Sequence, residues 1–179
     1  IKDKNVIWIK NLNQINNGPA IFFGNEFFDS IPIKQFEVKK SRIFEKFIQF
    51  KKGEFKKFFL KRASKKILRK LAELNLLKTK KVIEYPEKGL KILELIAKKI
   101  KKIGGGILLI DYGYLKAQGN DTLQSLKSHK SNVYYNNIGK ADITYLVNFQ
   151  LLNKFLLNRK LFLNKIVSQS FFLKKLGII

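Results

Sequence analysis

Two short apolar runs in the chain show no alternation with polar residues. Ala20-Ile21-Phe22-Phe23 follows a turn signal that ends at Pro19, and Ile107-Leu108-Leu109-Ile110 follows a run of glycines. Uninterrupted apolar runs of this length are typical of strands that are buried on both faces of a parallel sheet. We therefore predict two such strands.

The spacing of apolar residues between these runs predicts helices and an antiparallel segment. Apolar residues recur at helical spacing over 62–75 and again over 90–103, and Gly104 follows the second stretch as a C-terminal glycine would. That second helix and the strand after it form the return half of a βαβ unit. Residues 33–60 alternate partially between apolar and polar side chains and are divided at Lys51-Lys52-Gly53-Glu54, which predicts an antiparallel hairpin or meander. We predict a further short strand over 82–86.

The last third of the chain is less regular. Residues 112–142 are polar and predict a long loop with one short helix near 121–128. Asn148 is placed to cap a helix that runs to about Leu157. We predict a further strand over 161–167 and a short helix over 171–176. The elements together indicate an α/β fold.

Polar side chains follow both buried strands. Asn25, Glu26 and Asp29 come after the first strand, and Asp111, Tyr112 and Gly113 come after the second. Ligands of open α/β sheets bind beyond the carboxyl ends of the strands, and carboxylates there favour a cation such as a sulfonium or a guanidinium.

Each of these residues also has a purely structural interpretation, which stays open at this point. Asn25, Glu26 and Asp29 could cap or turn the chain, and Asp111 could accept a hydrogen bond from a loop amide. Tyr112 could serve only in packing. The single histidine, His129, is a candidate pocket residue or a loop residue that makes hydrogen bonds.

Composition and charge change this picture little. The net charge is +24, yet of 37 basic residues only four are arginine, namely Arg42, Arg62, Arg69 and Arg159. Lysine, asparagine, isoleucine and phenylalanine all have A/T-rich codons, whereas nucleic-acid surfaces favour arginine. Biased codon usage therefore explains the charge better than a nucleic-acid partner does, although a basic nucleic-acid-binding module remains an alternative.

Several classes of site are excluded by the residues present. The absence of cysteine excludes disulfide, thiol and cysteine–zinc chemistry, and a single histidine excludes a histidine-rich metal site. No apolar run approaches the roughly 20 residues of a membrane span. The Gly104–Gly106 run precedes a strand, whereas a phosphate-binding loop follows a strand and opens a helix.

Five segments, in order, resemble motifs of one family. GPAIFFGNEFFDSIPIKQF at 18–36 resembles NEFFDALPxxQF, and GGGILLIDYG at 104–113 resembles GGxxLxIDYG. Asp121 to Gln124 with His129 resembles DTLQxxxxH, residues 139–149 resemble GxADLTxxVDF, and residues 169–178 resemble QxxFLxxLGI. Asn148 replaces the family's usual aspartate, and Lys140 replaces an acidic residue. The chain therefore resembles the MidA-like class I S-adenosylmethionine-dependent methyltransferases, which include a mitochondrial complex I assembly factor that methylates arginine.

This resemblance implies a partial Rossmann-like methyltransferase sheet, from strand four onward, in a single domain over 1–179 with a β insertion at about 33–60. The chain begins at Ile1 and contains no methionine, and we expect it to be an internal piece whose cofactor loop lies upstream. The resemblance implies S-adenosylmethionine as cofactor and a protein substrate, such as a complex I subunit or a bacterial counterpart. It also implies the bacterial cytoplasm or, in a eukaryote, the mitochondrial matrix.

Within this resemblance, we expect Glu26 and Asp29 to orient the substrate guanidinium. Asn25, Asp111, Tyr112, Gly113 and His129 would shape the pocket. A non-catalytic assembly or interaction protein on the same fold is the main alternative, because the family includes an assembly factor.

Overall fold

The computed structural model describes residues 6–15, 17–79, 81–116 and 119–178. Its strands, in chain order, are β1 Ala20–Asn25, β2 Lys34–Lys39, β3 Arg42–Lys51, β4 Glu54–Arg62, β5 Val82–Tyr85, β6 Gly105–Ile110, β7 Gly113–Tyr114, β8 Gln124–Lys127, β9 Lys130–Asn132, β10 Asp142–Thr144 and β11 Val147–Asn148. Its helices are α1 Lys65–Glu73, α2 Glu87–Ile103, α3 Phe149–Leu157 and α4 Gln169–Lys175, with short 3₁₀ turns at Leu12–Gln14 and Leu76–Lys78.

The two unalternating apolar runs form strands, as predicted, and they pair with each other. The prediction that they are buried on both faces is wrong for β1, where Ile21 is 83% exposed and Phe23 is 65% exposed. β1 and β6 are parallel neighbours, in a register that runs from Ala20 opposite Gly105 to Asn25 opposite Ile110. Gly105 has a φ of +108°, and a Cβ at this position would lie 1.9 Å from the Ala20 carbonyl oxygen. Only glycine therefore permits the close start of this pair, and the register brings the carboxyl ends of both strands together.

The predicted meander forms a separate antiparallel sheet with the strand order β4-β3-β2-β5. The turn between β3 and β4 falls at Lys52 and Gly53, both with positive φ, which is where the sequence divides. β5 joins the edge of β2 and leads directly into α2, which returns the chain to β6.

The core lies between α2, α3, α1 and the inner face of the meander. Its most completely buried side chains are large and apolar, namely Phe28, Phe36, Leu71, Ile83, Leu93 and Val147. Asn148 caps α3, its side chain accepting a hydrogen bond from the Leu151 N–H at 3.0 Å, as predicted. In the described part of the chain no helix is both long and apolar enough to cross a bilayer.

Two predictions of secondary structure are also wrong. The segment near 121–128 is not a helix, because Gln124–Lys127 pairs with β9 on one side and β10 on the other. Residues 161–167 form no strand. Leu161 and Leu163 pack against the core, while Phe162 between them is 89% exposed. The side chains thus alternate as in a strand, but the segment pairs with no strand among the described residues.

Candidate active site at the carboxyl ends of two parallel strands

The chain turns sharply where β1 ends. The Glu26 N–H donates to the Ile110 carbonyl oxygen at 2.9 Å, which continues the pairing by one residue. Glu26 then has a φ of +47°, an uncommon conformation for a residue with a side chain. This turn directs residues 27–29 across the end of β6, toward Asp111.

Asp111 holds that turn in place. Its Oδ2 accepts hydrogen bonds from the N–H groups of Phe28 at 2.9 Å and Asp29 at 3.3 Å, and its Oδ1 accepts from the Tyr112 N–H at 2.9 Å. Burial raises the pKa of Asp111, and the backbone N–H groups partly offset this shift. The structural interpretation of Asp111, a strand-end carboxylate that binds loop amides, therefore fits its contacts.

Asp29 has the opposite environment. It is only 8% exposed, and its Oδ1 has no hydrogen-bond partner among the described residues. Burial, and secondarily the charge of Asp111, raise the pKa of Asp29. The Ser30 backbone N–H partly offsets this rise in pKa. A buried carboxylate oxygen that lacks a partner is suited to accept hydrogen bonds from a cationic ligand.

Tyr145 lies beside Asp29 and was not predicted. Its N–H donates to the Asp29 carbonyl oxygen at 3.1 Å, and its side chain is 4% exposed. In the described part of the chain the Tyr145 hydroxyl has no hydrogen-bond partner either. Burial, reinforced by the charges of Asp111, Glu84 and Asp29, raises the pKa of Tyr145, so the hydroxyl stays neutral.

Asp29 and Tyr145 both line a cavity of about 550 Å³ between the strand ends and the meander. This volume is in the range of roughly 300–1,000 Å³ that is usual for ligand pockets. The opposite wall is largely apolar and aromatic, with contributions from Phe47, Ile48 and Phe58.

A hydrogen-bond network fixes the segment that carries Tyr145. The buried Glu84 of β5 accepts from the Thr122 hydroxyl at 2.5 Å and from the Gln35 amide at 3.1 Å. The Thr122 hydroxyl oxygen in turn accepts from the Leu146 N–H at 3.0 Å, and the Gln35 amide also donates to Asp121 at 2.6 Å. The polar loop is thus attached to the sheet next to the cavity.

The structure brings some predicted site residues together and separates others. Asn25, Glu26, Asp29, Asp111 and Tyr112 meet at one edge, where Asn25, Glu26 and Tyr112 are exposed.

Only one of the predicted residues, Asp29, lines the cavity. Gly113 lies in β7, where a Cβ would come within 2.1 Å of the Val147 carbonyl oxygen, so its role there is close backbone packing. His129 is exposed in the turn between β8 and β9, with a φ of +60°.

Four residues that the sequence reasoning missed contribute to the site, namely Gln35, Glu84, Thr122 and Tyr145. Gln35 and Thr122 lie inside recognised motifs, and Glu84 is a carboxylate inside an apolar strand, so signals for these three were present. Tyr145 occupies a variable position of the motif at 139–149, so the motif does not single it out, and only the fold reveals that its hydroxyl is buried without a partner among the described residues.

The edge is acidic in a strongly basic chain. Segments 24–29 and 111–114 contain Glu26, Asp29 and Asp111 and no lysine or arginine, whereas the whole chain has a net charge of +24. Such a site suits a cationic ligand or cofactor and disfavours an anionic one.

Comparison with known proteins agrees with this geometry. A family model described as "Putative S-adenosyl-L-methionine-dependent methyltransferase" matches residues 1–165.

Three curated relatives show the same similarity. The chain is 28% identical over 177 residues to the mitochondrial "Protein arginine methyltransferase NDUFAF7 homolog" of Caenorhabditis elegans, with 97% of this chain and 41% of the relative covered. Identity to the mitochondrial protein arginine methyltransferase NDUFAF7 is 25% in Danio rerio (97% and 40% covered) and 26% in Homo sapiens (97% and 38% covered). The chain thus spans about two fifths of the length of these relatives.

Two crystal structures from Burkholderia thailandensis share the fold. One, solved with S-adenosyl-homocysteine bound, superposes with a TM-score of 0.67 at 18% identity, over 87% of this chain and 41% of the other. The second, a native structure, gives a TM-score of 0.74 at 18% identity, over 90% of this chain and 45% of the other. At this identity the likeness concerns the fold alone.

Proposed function

The chain belongs to the S-adenosyl-L-methionine-dependent methyltransferase family whose model it matches, and on that premise we propose that the intact protein methylates arginine side chains of a protein substrate. The observation that carries the proposal is the buried Asp29 carboxylate: its Oδ1 lacks a partner among the described residues, and Asp29 is one of the residues that line the cavity. The names of the relatives, which are protein arginine methyltransferases, support the choice of arginine.

The residues at the strand ends fit a cationic cofactor. When bound, S-adenosylmethionine supplies a methyl group activated on a positively charged sulfur. The edge carries the carboxylates of Glu26, Asp29 and Asp111, and neither segment 24–29 nor segment 111–114 contains a lysine or an arginine. The exposed Asn25 and Glu26 would hold the cofactor or the substrate from this side, and we expect the glycine-rich part of its site to lie upstream.

Asp29 would orient the substrate. A guanidinium has five N–H donors and no acceptor, and a carboxylate is the protein group that matches it. Binding a cation beside Asp29 would also offset the burial and the Asp111 charge that raise the pKa of Asp29. Methyl transfer is an in-line displacement, so fixing the direction of the attacking nitrogen is the main task of the protein.

The identity of the substrate protein and the cellular compartment are both proposed from the family resemblance. We propose a respiratory complex I subunit or a bacterial counterpart, in the mitochondrial matrix or the bacterial cytoplasm respectively. The relatives named above are mitochondrial proteins.

The test is methyl transfer from labelled S-adenosylmethionine by the intact protein, comparing the native sequence with Asp29→Asn. We expect Asp29→Asn to lower kcat/KM on arginine peptides by about 10- to 100-fold, the scale of a lost hydrogen bond to a charged group. Asp142→Asn, which changes an exposed aspartate of β10, is the matched control and should keep full activity.

Glu26→Gln separates the two predicted catalytic carboxylates. Undiminished transfer by Glu26→Gln would remove Glu26 from the mechanism and leave Asp29 as the orienting group. An intact protein that binds S-adenosylmethionine in calorimetry but methylates no arginine would refute the arginine proposal. Failure to bind S-adenosylmethionine at all would favour the non-catalytic alternative.

A further inference from the structure

We propose that the cavity beside Asp29 receives the target arginine side chain and that the Tyr145 hydroxyl is a second group that hydrogen-bonds its guanidinium. The inference rests on the proposed function and adds to it the side from which the substrate enters and a residue that selects the substrate. Neither the motifs nor the strand ends indicate Tyr145.

The first argument is that two buried polar atoms without partners belong to residues that line the same cavity. Asp29 Oδ1 and the Tyr145 hydroxyl are the two buried side-chain polar atoms without a hydrogen-bond partner in the part of the chain that the structure describes. Both residues are more than nine-tenths buried, and both line the cavity. Unsatisfied buried polar groups are costly and rare, so two of them on residues that line one cavity point to a ligand that satisfies both.

The second argument is the chemistry of the two atoms. Asp29 offers a carboxylate oxygen, and Tyr145 offers a neutral phenol oxygen with free lone pairs. A planar guanidinium can donate to both from separate N–H groups, since its donors spread over three nitrogens. A lysine ammonium is a compact point charge and lacks the planar set of donors that a guanidinium offers to two acceptors.

The third argument is the charge distribution around the cavity. Glu45 is paired with Lys34 at 3.3 Å, and Lys46 is paired with Asp121 at 3.5 Å. Asp29 is then the carboxylate of the lining that has no cationic partner among the described residues. The charges on the meander side already compensate one another, so a guanidinium would find its charge partner at the Asp29 end.

The fourth argument is the shape of the opposite wall. Phe47, Ile48, Phe58 and Ile143 offer apolar and aromatic contacts to the aliphatic stem of an arginine. The cavity is also larger than a guanidinium group requires, so we expect it to accept an apolar residue next to the target arginine. The substrate would therefore enter between the strand ends and the meander, rather than from the exposed edge at Asn25 and Glu26.

The principal test is Tyr145→Phe in the intact protein, because this change keeps the ring and removes only the hydroxyl. We expect kcat/KM on an arginine peptide to fall about tenfold or more, with KM carrying most of the change. The thermal midpoint should stay the same or rise, since the lost hydroxyl had no partner. A purely structural Tyr145 would show the reverse pattern, with a lower midpoint and an unchanged KM. Tyr135→Phe, whose ring stacks on Phe55, is the matched control and should change neither quantity.

A binding test separates this inference from the proposed function. The thermal midpoint of the intact protein is measured with N-acetyl-arginine amide and with its uncharged analogue N-acetyl-citrulline amide. We expect only the arginine derivative to raise the midpoint, with the rise lost in Asp29→Asn and reduced in Tyr145→Phe. An equal rise with citrulline, or a full rise in Tyr145→Phe, would overturn the inference even if arginine methylation is observed. Arginine binding that depends on Tyr145 without any methylation would instead refute the proposed function and support the site.

Discussion

Asp29 and Asp111 lie at the same turn, yet their carboxylates have different roles because their oxygens meet different partners. Asp111 accepts hydrogen bonds from three backbone N–H groups and closes the turn. Asp29 donates its own N–H to Asp111, and its buried Oδ1 has no partner among the described residues. One carboxylate therefore holds the turn, and the other is the one that we propose as the ligand-binding group.

The free carboxylate leads to a prediction about stability and pH. The pKa of Asp29 is raised in the folded state, above its usual 3.8, so the folded protein binds this proton more tightly than the unfolded chain does. The stability that protonated Asp29 contributes is therefore present at low pH and is lost as the pH rises through the folded-state pKa. We expect Asp29→Asn to raise the free energy of unfolding at neutral pH by on the order of 1 kcal/mol, since it removes the cost of burying a charge and, secondarily, the repulsion with Asp111.

The measurement is urea unfolding of the intact protein from about pH 4 to about pH 8. The advantage of Asp29→Asn should shrink as the pH falls, because the native Asp29 then becomes protonated and neutral. The exposed Asp142→Asn serves as the control and should show no such trend. If Asp29→Asn is less stable at neutral pH, Asp29 has a structural partner and is not held for a ligand.

At this scale the sequence predicts which residues gather at the edge but not what each one contacts. The run of polar residues after two apolar strands identifies Glu26, Asp29 and Asp111. Their different roles depend on the left-handed turn at Glu26, which decides which N–H groups point at Asp111. Tyr145 is 116 residues from Asp29 in sequence, and only the path of the loop brings it there.

At the scale of elements, the polar loop is held to the body of the protein at two places. One is the network around Glu84 and Thr122, which fixes the backbone next to Tyr145. The other is the parallel pair β7–β11, which follows Asp111 and precedes α3. Tyr145 lies just before this pair, so its position depends on both attachments.

The β7–β11 pair leads to a prediction for Gly113→Ala. An added Cβ would lie 2.1 Å from the Val147 carbonyl oxygen and 2.7 Å from the Phe149 ring, so the two short strands would have to separate. We expect a loss of about 1–3 kcal/mol in the free energy of unfolding, as for an overpacked interior. Methyl transfer should fall as well, because Tyr145 would shift.

The control for Gly113→Ala is Gly106→Ala in β6. A Cβ on Gly106 would meet no atom within 4 Å, so this variant should unfold at nearly the native denaturant concentration. Chemical unfolding of both variants measures the difference. Equal stability of the two would mean that the strands separate at little cost and that Gly113 is retained for another reason.

The elements that the sequence predicts well are those with local signals. Helix α2 has both a strong apolar period and a terminal glycine, and the meander is divided at its lysine–glycine turn. The helix predicted near 121–128 is wrong because the strand β8, which forms there, depends on pairing with β9 and β10, and no local pattern specifies that pairing.

At the scale of the whole molecule, the parallel β1–β6 pair is less covered than such sheets usually are. Parallel sheets are normally buried on both faces, yet Ile21 is 83% exposed and Phe23 is 65% exposed on one side of β1. The chain spans about two fifths of the relatives' length. The apolar run at 20–23 correctly predicts a strand. It does not predict the exposure of one face of that strand in this chain.

This exposed face leads to the last prediction, which concerns the double substitution Ile21→Ser and Phe23→Ser. In this chain produced alone, both side chains contact water, so replacing them should reduce binding of a hydrophobic dye and slow aggregation. In the intact protein we expect the same face to be covered, and the double substitution should then lower the free energy of unfolding by several kcal/mol, about 2–5 for each buried large side chain removed. Phe162→Ser is the control, because Phe162 is also largely exposed in this chain, at 89%, but lies outside any strand. Its effect should stay within about 0.5 kcal/mol in the intact protein. Neutral behaviour of the double variant in the intact protein would show that the β1 face remains open there. In that case the acidic edge at Asn25 and Glu26 would border an apolar surface that is accessible to a partner, instead of a sheet interior.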